Sequence, residues 1–295
     1  MIIILKTKIF NLFRYIFKIS AFEKWLRENT IGKPQSDFYC KLVPNNYQYP
    51  FGTIKKIQFK EIILEVDIHD YVGHFLFFGF RDIAQERLIE LSNPGNVVID
   101  VGTNIGSSLL QFAKKIGSKG RVYGFEPDPF NYKKCLKNVS LNKFQNIEIS
   151  NIGLGNESGK FSLIVDTESN RGGNRISFDK KTNKATTQIE VRKLDDWVSS
   201  KNIERVDLIK IDVEGFELKV LQGGRNLIEQ FKPKLFIEID DNNLRAVGDS
   251  AKKLISFLED LNYKSINAVS LESINLGFNF DNCHFDIISE KVLQD

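Results

Sequence analysis

The sequence is poor in cysteine. Its three, Cys40, Cys135 and Cys283, lie far apart and show neither CxxC nor Cys/His ligand spacing. A disulfide framework and a zinc site are therefore not expected, and a reducing cytoplasm fits best. Charge of one sign is also scarce. The formal net charge is +3 and no dense basic run occurs, which argues against a nucleic-acid partner. No uncharged apolar run reaches the ~18 residues of a membrane span. No small-residue cleavage site follows a clean apolar core, so a signal peptide is not expected either. Internal repeats and low-complexity tracts are absent. What remains is a 295-residue chain with 42% hydrophobic and 27% charged residues. A chain of this length buries roughly 75% of its unfolded surface without cross-links.

Residues 1–26 are rich in Ile, Leu and Phe. Leu5, Ile9, Leu12, Phe13, Ile16 and Ile19 recur at helical spacing, with Lys8, Asn11, Tyr15 and Lys18 between them. Two readings stay open: a terminal helix packed on the protein, or a basic amphipathic helix lying peripherally on the anionic inner face of a membrane. Residues 30–50 carry Gly32, Pro34, Pro44 and Pro50 and read as an irregular connection. Residues 51–69 partly alternate, as antiparallel strands do. Residues 70–91 switch to a helical pattern. Asn93-Pro94-Gly95 is a strong turn signal, which divides the chain into an N-terminal extension and cap (1–94) and a main domain (95–295).

In the main domain short apolar runs alternate with helical stretches. The runs are VVIDV (97–101), RVYGFE (121–126), IEIS (147–150), VDLIKIDV (206–213) and KLFIEID (234–240). Helical patterns fall near 105–117, 129–141, 194–202, 215–231 and 249–261, and two late strands near 263–268 and 283–288. This alternation predicts an α/β fold with a mostly parallel sheet covered on both faces.

Ligands in such sheets sit beyond the carboxyl ends of the strands. There the first strand runs into Asp100-Val101-Gly102-Thr103-Asn104-Ile105-Gly106. A glycine turn of this kind lets a ligand approach the backbone, because no Cβ intervenes. Its G-x-x-x-G spacing is not the G-x-G-x-x-G of a pyrophosphate cradle. Asp100 would repel phosphate and tolerate a sulfonium or ammonium, which favours S-adenosylmethionine over NAD. Glu126, 24 residues after Gly102, stands where such folds bind a ribose diol, and Pro127 ends its strand. Asn151 and Ile152, after the third strand, would border the adenine with a polar edge and an apolar face.

The fourth strand places Lys210 inside an apolar run, with Asp212 and Glu214 at its end. The fifth places Glu238 inside another. A Lys in a strand buried on both faces needs a partner. If the two strands are neighbours, Lys210 and Glu238 could pair at the rim of the site, or the charges could form a purely structural ion pair. Glu238 and Asp212 are candidate bases, with Lys210 orienting either. His74 is a third candidate. The polar loop from Ser169 to Arg175 could form an acceptor rim or simply be solvated.

The segments VVIDVGTNIG, VYGFEPDPFNYKKCLKNVSLN, KLDDW and DLIKIDVEGFELKVLQGG resemble the FkbM family of S-adenosylmethionine-dependent methyltransferases. The resemblance covers roughly residues 70–290, and residues 1–69 lie outside it. It implies a Rossmann-like fold with a seven-stranded sheet and O-methylation, often of a sugar, polysaccharide or natural-product hydroxyl. By motif, Asp100, Gly102, Asn104, Gly106 and Glu126 would contact the cofactor. Asp212 and Glu214 would sit between cofactor and acceptor. Thr103 and Gly153 stand where members often have Ala. Two other readings remain: an NAD-dependent sugar oxidoreductase, disfavoured by the missing pyrophosphate glycines, and a non-catalytic protein keeping the fold.

Overall fold

The computed structural model describes residues 11–165, 170–177 and 186–292. The chain divides into two compact units, Met1–Asp82 with Thr167–Gly172, and Ile83–Asp166 with Gly173–Asp295.

The first unit holds α1 (Ser20–Thr30), α2 (Phe38–Leu42), the hairpin β1 (Ile54–Phe59) and β2 (Ile62–Asp67), and α3 (Tyr71–Phe78). Lys60 and Glu61, both with positive φ, form the two-residue hairpin turn, which matches the twist of the strands. Leu26, Ile62, Leu64 and Phe78 are fully buried in this unit. Asp70 caps α3 through its side chain, and Gly79 ends it in the left-handed conformation at φ +65°. The helical pattern of 70–91 is therefore not one helix.

The second unit begins with α4 (Ile83–Glu90). The strands and helices that follow are β3 (Val97–Val101), α5 (Ser107–Ile116), β4 (Arg121–Phe125), α6 (Pro129–Ser140) and β5 (Ile147–Ser150). A small sheet of β6 (Gly153–Leu154), β7 (Gly159–Ile164), β8 (Arg175–Ser177) and β9 (Thr186–Arg192) comes next. The chain then forms α7 (Leu194–Ser200), β10 (Leu208–Ile211), α8 (Glu217–Gly223), α9 (Arg225–Phe231) and β11 (Lys234–Asp240). It ends with α10 (Asp241–Ala246), α11 (Ala251–Asp260), β12 (Tyr263–Asn267), the two-residue β13 (Ser273–Ile274) and β14 (His284–Lys291).

The main sheet has the order β13-β12-β14-β11-β10-β3-β4-β5. Seven of its strands form the expected Rossmann-like sheet, and β13 adds a short edge. From β11 to β5 every pairing is parallel, while β14 runs antiparallel between β11 and β12.

The period of two along each strand sorts the core onto two faces. Ile99, Val101, Ile209, Ile211, Ile237 and Ile239 pack with residues of α7, α8, α9 and α11. Val98, Leu208 and Phe236 pack on the other face with residues of α4, α5 and α6. Asp100, Lys210 and Glu238 alternate onto that second face. They emerge where the apolar layer ends and the strands open into their loops.

Candidate active site

Strand register brings the charged strand ends together. Lys210 lies directly beside Asp100 across the β10–β3 pair. Its ammonium is 3.5 Å from Asp100 Oδ1 and 3.1 Å from Asp212 Oδ2, and donates to the Gly102 carbonyl at 2.8 Å. Lys210 is 5% exposed and Asp100 is completely buried. Burial alone would discharge this lysine. The two carboxylates reverse that and hold its pKa above the ordinary lysine value. The Asp100 pKa is raised as well: desolvation outweighs the pull of Lys210 and Ser108. The Ser108 hydroxyl, at the start of α5, donates to Asp100 Oδ2 at 2.7 Å, while Oδ1 has no hydrogen bond.

The expected Lys210–Glu238 pair does not form. β10 and β11 are parallel neighbours, but Lys210 stands opposite Phe236. Continuing that register sets Glu238 beside Asp212, one strand step further on. Glu238 Oε1 instead meets His284 Nε2 at 3.0 Å, from the antiparallel strand β14. Burial and the nearby Asp212 push the Glu238 pKa up to about 7. Its hydrogen bond to Glu238 raises His284 to about 9.

Asp212, Glu214 and Glu238 bring carboxylate oxygens within 4.8 Å of one another, a spacing that can hold a metal ion. Each already has a donor. Lys210 meets Asp212, His284 meets Glu238, and the Asn243 side-chain amide donates to Glu214 Oε2 at 2.8 Å.

On the β3–β4 side the geometry is different. The buried Glu126 accepts the backbone N–H of Asn104 on Oε2 at 2.8 Å and that of Asp128 on Oε1 at 2.9 Å. Desolvation, opposed by these two bonds, places its pKa at about 7. The Asn151 amide donates to the carbonyls of Glu126 and Pro127 at 2.8 and 3.1 Å, so its NH2 group braces this turn. Ile152 is 9% exposed beside it in sequence and packs into the core.

The glycines also have packing roles. Gly102 has φ +83°, and a Cβ there would collide with the carbonyl of Asp212. The missing side chain makes room for the backbone just past the end of β10. Gly106, at φ +89°, leaves room for Cys135 Sγ of α6. Asn104 and Glu214 hold left-handed backbones without being glycine, at φ +50° and +55°.

Sequence reasoning missed two residues. Glu217 is 1% exposed and accepts the N–H groups of Val213 and Gly215 on Oε1, at 3.2 and 2.9 Å. Burial raises its pKa to about 8, so it is largely protonated at neutral pH. Its spacing from Glu214 in VEGFE was a local signal. His284 had none, because 46 residues separate it from Glu238.

His74 belongs to the interior of the first unit. It is 8% exposed, its Nε2 meets the Pro44 carbonyl at 2.7 Å, and burial lowers its pKa to about 4. That is a structural histidine, and the expectation of a base there is withdrawn. In the 169–175 loop, Ser169 lies outside the described residues. Within the first unit the Arg171 N–H donates to Asp70 Oδ2 at 3.0 Å. Within the second, the Asn174 amide donates to Asp128 Oδ2 at 2.8 Å.

Comparison with known proteins locates the chain. It is 26% identical to the 2-O-methyltransferase NoeI of Sinorhizobium fredii, over 52% of this chain and 67% of that one. It is 28% identical to the hexuronic acid methyltransferase AglP of Haloferax volcanii, over 50% of this chain and 60% of that one. The chain thus spans about two thirds or less of these relatives' length. Among solved structures, the methyltransferase FkbM of Methylobacillus flagellatus matches at 22% identity and a TM-score of 0.42. That match covers 74% of this chain and 52% of the other. The family model for the methyltransferase FkbM domain matches residues 100–265, more than half of the sequence. The chain belongs to the FkbM methyltransferase family.

Proposed function

We propose that the strand ends of the second unit bind S-adenosylmethionine and serve O-methylation of a sugar, polysaccharide or related natural-product hydroxyl. The observation that carries this reading is the charge balance of the site. Asp100, Glu126, Asp212, Glu214 and Glu238 gather at the same end of the sheet, where Lys210 meets Asp100 and Asp212 and His284 meets Glu238. A cationic ligand completes such a set, whereas the pyrophosphate of NAD is repelled by it. The fit extends to individual groups: the buried Asp100 Oδ1 lies 3.5 Å from the Lys210 ammonium, accepts no closer hydrogen bond and so keeps acceptor capacity. Glu126, pinned by two backbone donors, keeps lone pairs for a ribose diol. When bound, S-adenosylmethionine supplies a methyl group already activated on a sulfonium.

The chain's own work is then to bind, to position and to take a proton. Asp100, Gly102, Asn104, Gly106, Glu126 and Pro127 form the cofactor side, with Asn151 and Ile152 next to the adenine. Asp212, Glu214 and Glu238 form the acceptor side. Glu238 is the base we favour, because a carboxylate of pKa about 7 can take a hydroxyl proton near neutral pH. Lys210 fixes Asp212 and the Gly102 carbonyl, and so ties the two sides. O-methylation is supported by the activity of one relative, a 2-O-methyltransferase, and a sugar acceptor by that of another, a hexuronic acid methyltransferase.

Calorimetric titration tests the cofactor. We expect S-adenosylhomocysteine to bind with micromolar affinity and NAD not to bind. NAD binding with no affinity for S-adenosylhomocysteine would return the oxidoreductase reading. Tight binding with no methyl transfer to uronic acids, neutral sugars or glycan fragments would favour a non-catalytic role.

A further inference from the structure

The N-terminal segment of the first unit presents an apolar face that the proposed reaction does not use. Residues 1–10 lie outside the described residues. From Asn11 to Lys18 the backbone is helical, and Ile19 then breaks it in an extended conformation before α1. The residues whose spacing suggested a packed face do not pack: Leu12 is 73% exposed, Phe13 57% and Ile19 55%. Phe17 is the buried one, and it links a run of rings. Its centroid lies 6.0 Å from Phe13, 6.4 Å from Phe22 and 6.3 Å from Trp25. Trp25 continues to Tyr39 at 5.7 Å, and Tyr39 to Phe38 at 5.6 Å. Phe38 is 67% exposed. The exposed rings of Phe13, Phe22, Trp25 and Phe38 are thus linked through Phe17 and Tyr39 into one aromatic cluster.

Its charges are of one dominant sign. Arg14, Lys18, Lys24, Arg27, Lys33 and Lys41 fall in this segment, against Glu23, Glu28 and Asp37. Glu23 is buried and paired with Lys55 at 2.6 Å, so it adds little negative charge to the surface. Lys18 and Lys33 lie over the rings of Tyr15 and Tyr39 at 4.6 and 4.3 Å, with apolar stems along the aromatic surface. The preceding ten residues add Lys6 and Lys8 and no acid. No described helix is long and apolar enough to cross a membrane.

We infer that this face, from Leu12 to Phe38, is a docking surface for an anionic lipid bilayer, on which the protein rests without spanning it. The exposed aromatic rings and Leu12 bury at the level of the head groups, and the positive field of the basic side chains, of which Arg14, Lys18 and Arg27 also donate to backbone carbonyls, attracts anionic phosphates. A second copy of the chain is a poorer occupant, because a self-paired face would set the same cations against one another.

The test uses the whole protein and vesicles of phosphatidylcholine, with or without 30% phosphatidylglycerol. We expect cosedimentation with the anionic vesicles at least tenfold stronger than with neutral ones, weakened by 0.5 M salt. Trp25 should move to shorter emission wavelength on binding, while Trp197, at 4% exposure, gives a constant background. Phe13→Ser with Phe38→Ser should lower vesicle binding at least tenfold, with S-adenosylhomocysteine affinity and circular dichroism unchanged. Absence of binding to anionic vesicles overturns the inference. So does unchanged binding of the double variant, which would assign any affinity to residues 1–10 alone. A dimer in sedimentation velocity that the same variant abolishes would make a second copy the occupant instead.

Discussion

The two halves of the candidate site use the same chemical group in opposite ways. On the β3–β4 side, Glu126 is held by backbone N–H groups of Asn104 and Asp128. On the β10–β11 side, Asp212, Glu214 and Glu238 are held by the side chains of Lys210, Asn243 and His284. A backbone donor has a fixed direction and no charge to lose. A side-chain donor can turn, and His284 can change its charge. The first arrangement suits a group that must stay in place to recognise a ligand. The second suits groups that exchange partners and protons during a reaction.

The sharpest way to break this contrast is Glu238→Gln. It keeps the size and removes the base, so kcat should fall by about 10²–10⁴-fold. Affinity for S-adenosylhomocysteine, measured by calorimetry, should stay within twofold. An unchanged kcat would remove Glu238 from the chemistry. Glu126→Gln should do the reverse: cofactor affinity falls by about 10–100-fold, as expected for weakened charge-assisted hydrogen bonds, while kcat at saturation falls less.

A pH profile comes next. Glu238 must be ionised to accept a proton, so kcat/KM should decline below an apparent pKa near 7, about tenfold per pH unit. His284 favours the ionised form of Glu238, so His284→Ala should move this limb to higher pH. No shift would show that the two groups do not act together.

The smallest effect concerns stability. Glu217 is raised in the folded state to about 8 from its ordinary 4.5. Its contribution to stability is thus full below the lower value and lost as pH rises through the higher one. Glu217→Gln keeps an acceptor for the Val213 and Gly215 N–H groups and cannot ionise. It should raise the melting temperature at pH 8.5 by a few degrees, roughly 2–4 °C per kcal/mol, raise it less at pH 6, and leave it unchanged below the ordinary carboxylate pKa of 4.5.

Much of the second unit could be read directly. VVIDV and KLFIEID coincide with β3 and β11, whose apolar runs reflect burial on both faces, and the alternating IEIS coincides with the half-buried edge strand β5. The helix expected over 215–231 is split at Gly223–Gly224, where the apolar pattern itself gave no break. The charged strand ends were visible as anomalies, but their partners were not. Lys210 found Asp100 because β3 is its neighbour, and neighbourhood depends on strand order rather than on sequence distance. His284 reached Glu238 through the antiparallel insertion of β14, which no local pattern announces. In the first unit, periodicity identified Leu12, Phe13, Ile16 and Ile19 as one apolar set but could not say whether protein covers it.

Gly102 bears on how this protein can vary. The strand end of β3 and the carbonyl of Asp212 touch where a side chain at 102 would stand. One added carbon there acts as a wedge: it drives the two halves of the site apart and misaligns both. The spacing between the ends of β3 and β10 is therefore fixed by close backbone contact at this one position. A substitution at 102 disturbs both strand ends at once, and variation of the site has to leave that point alone.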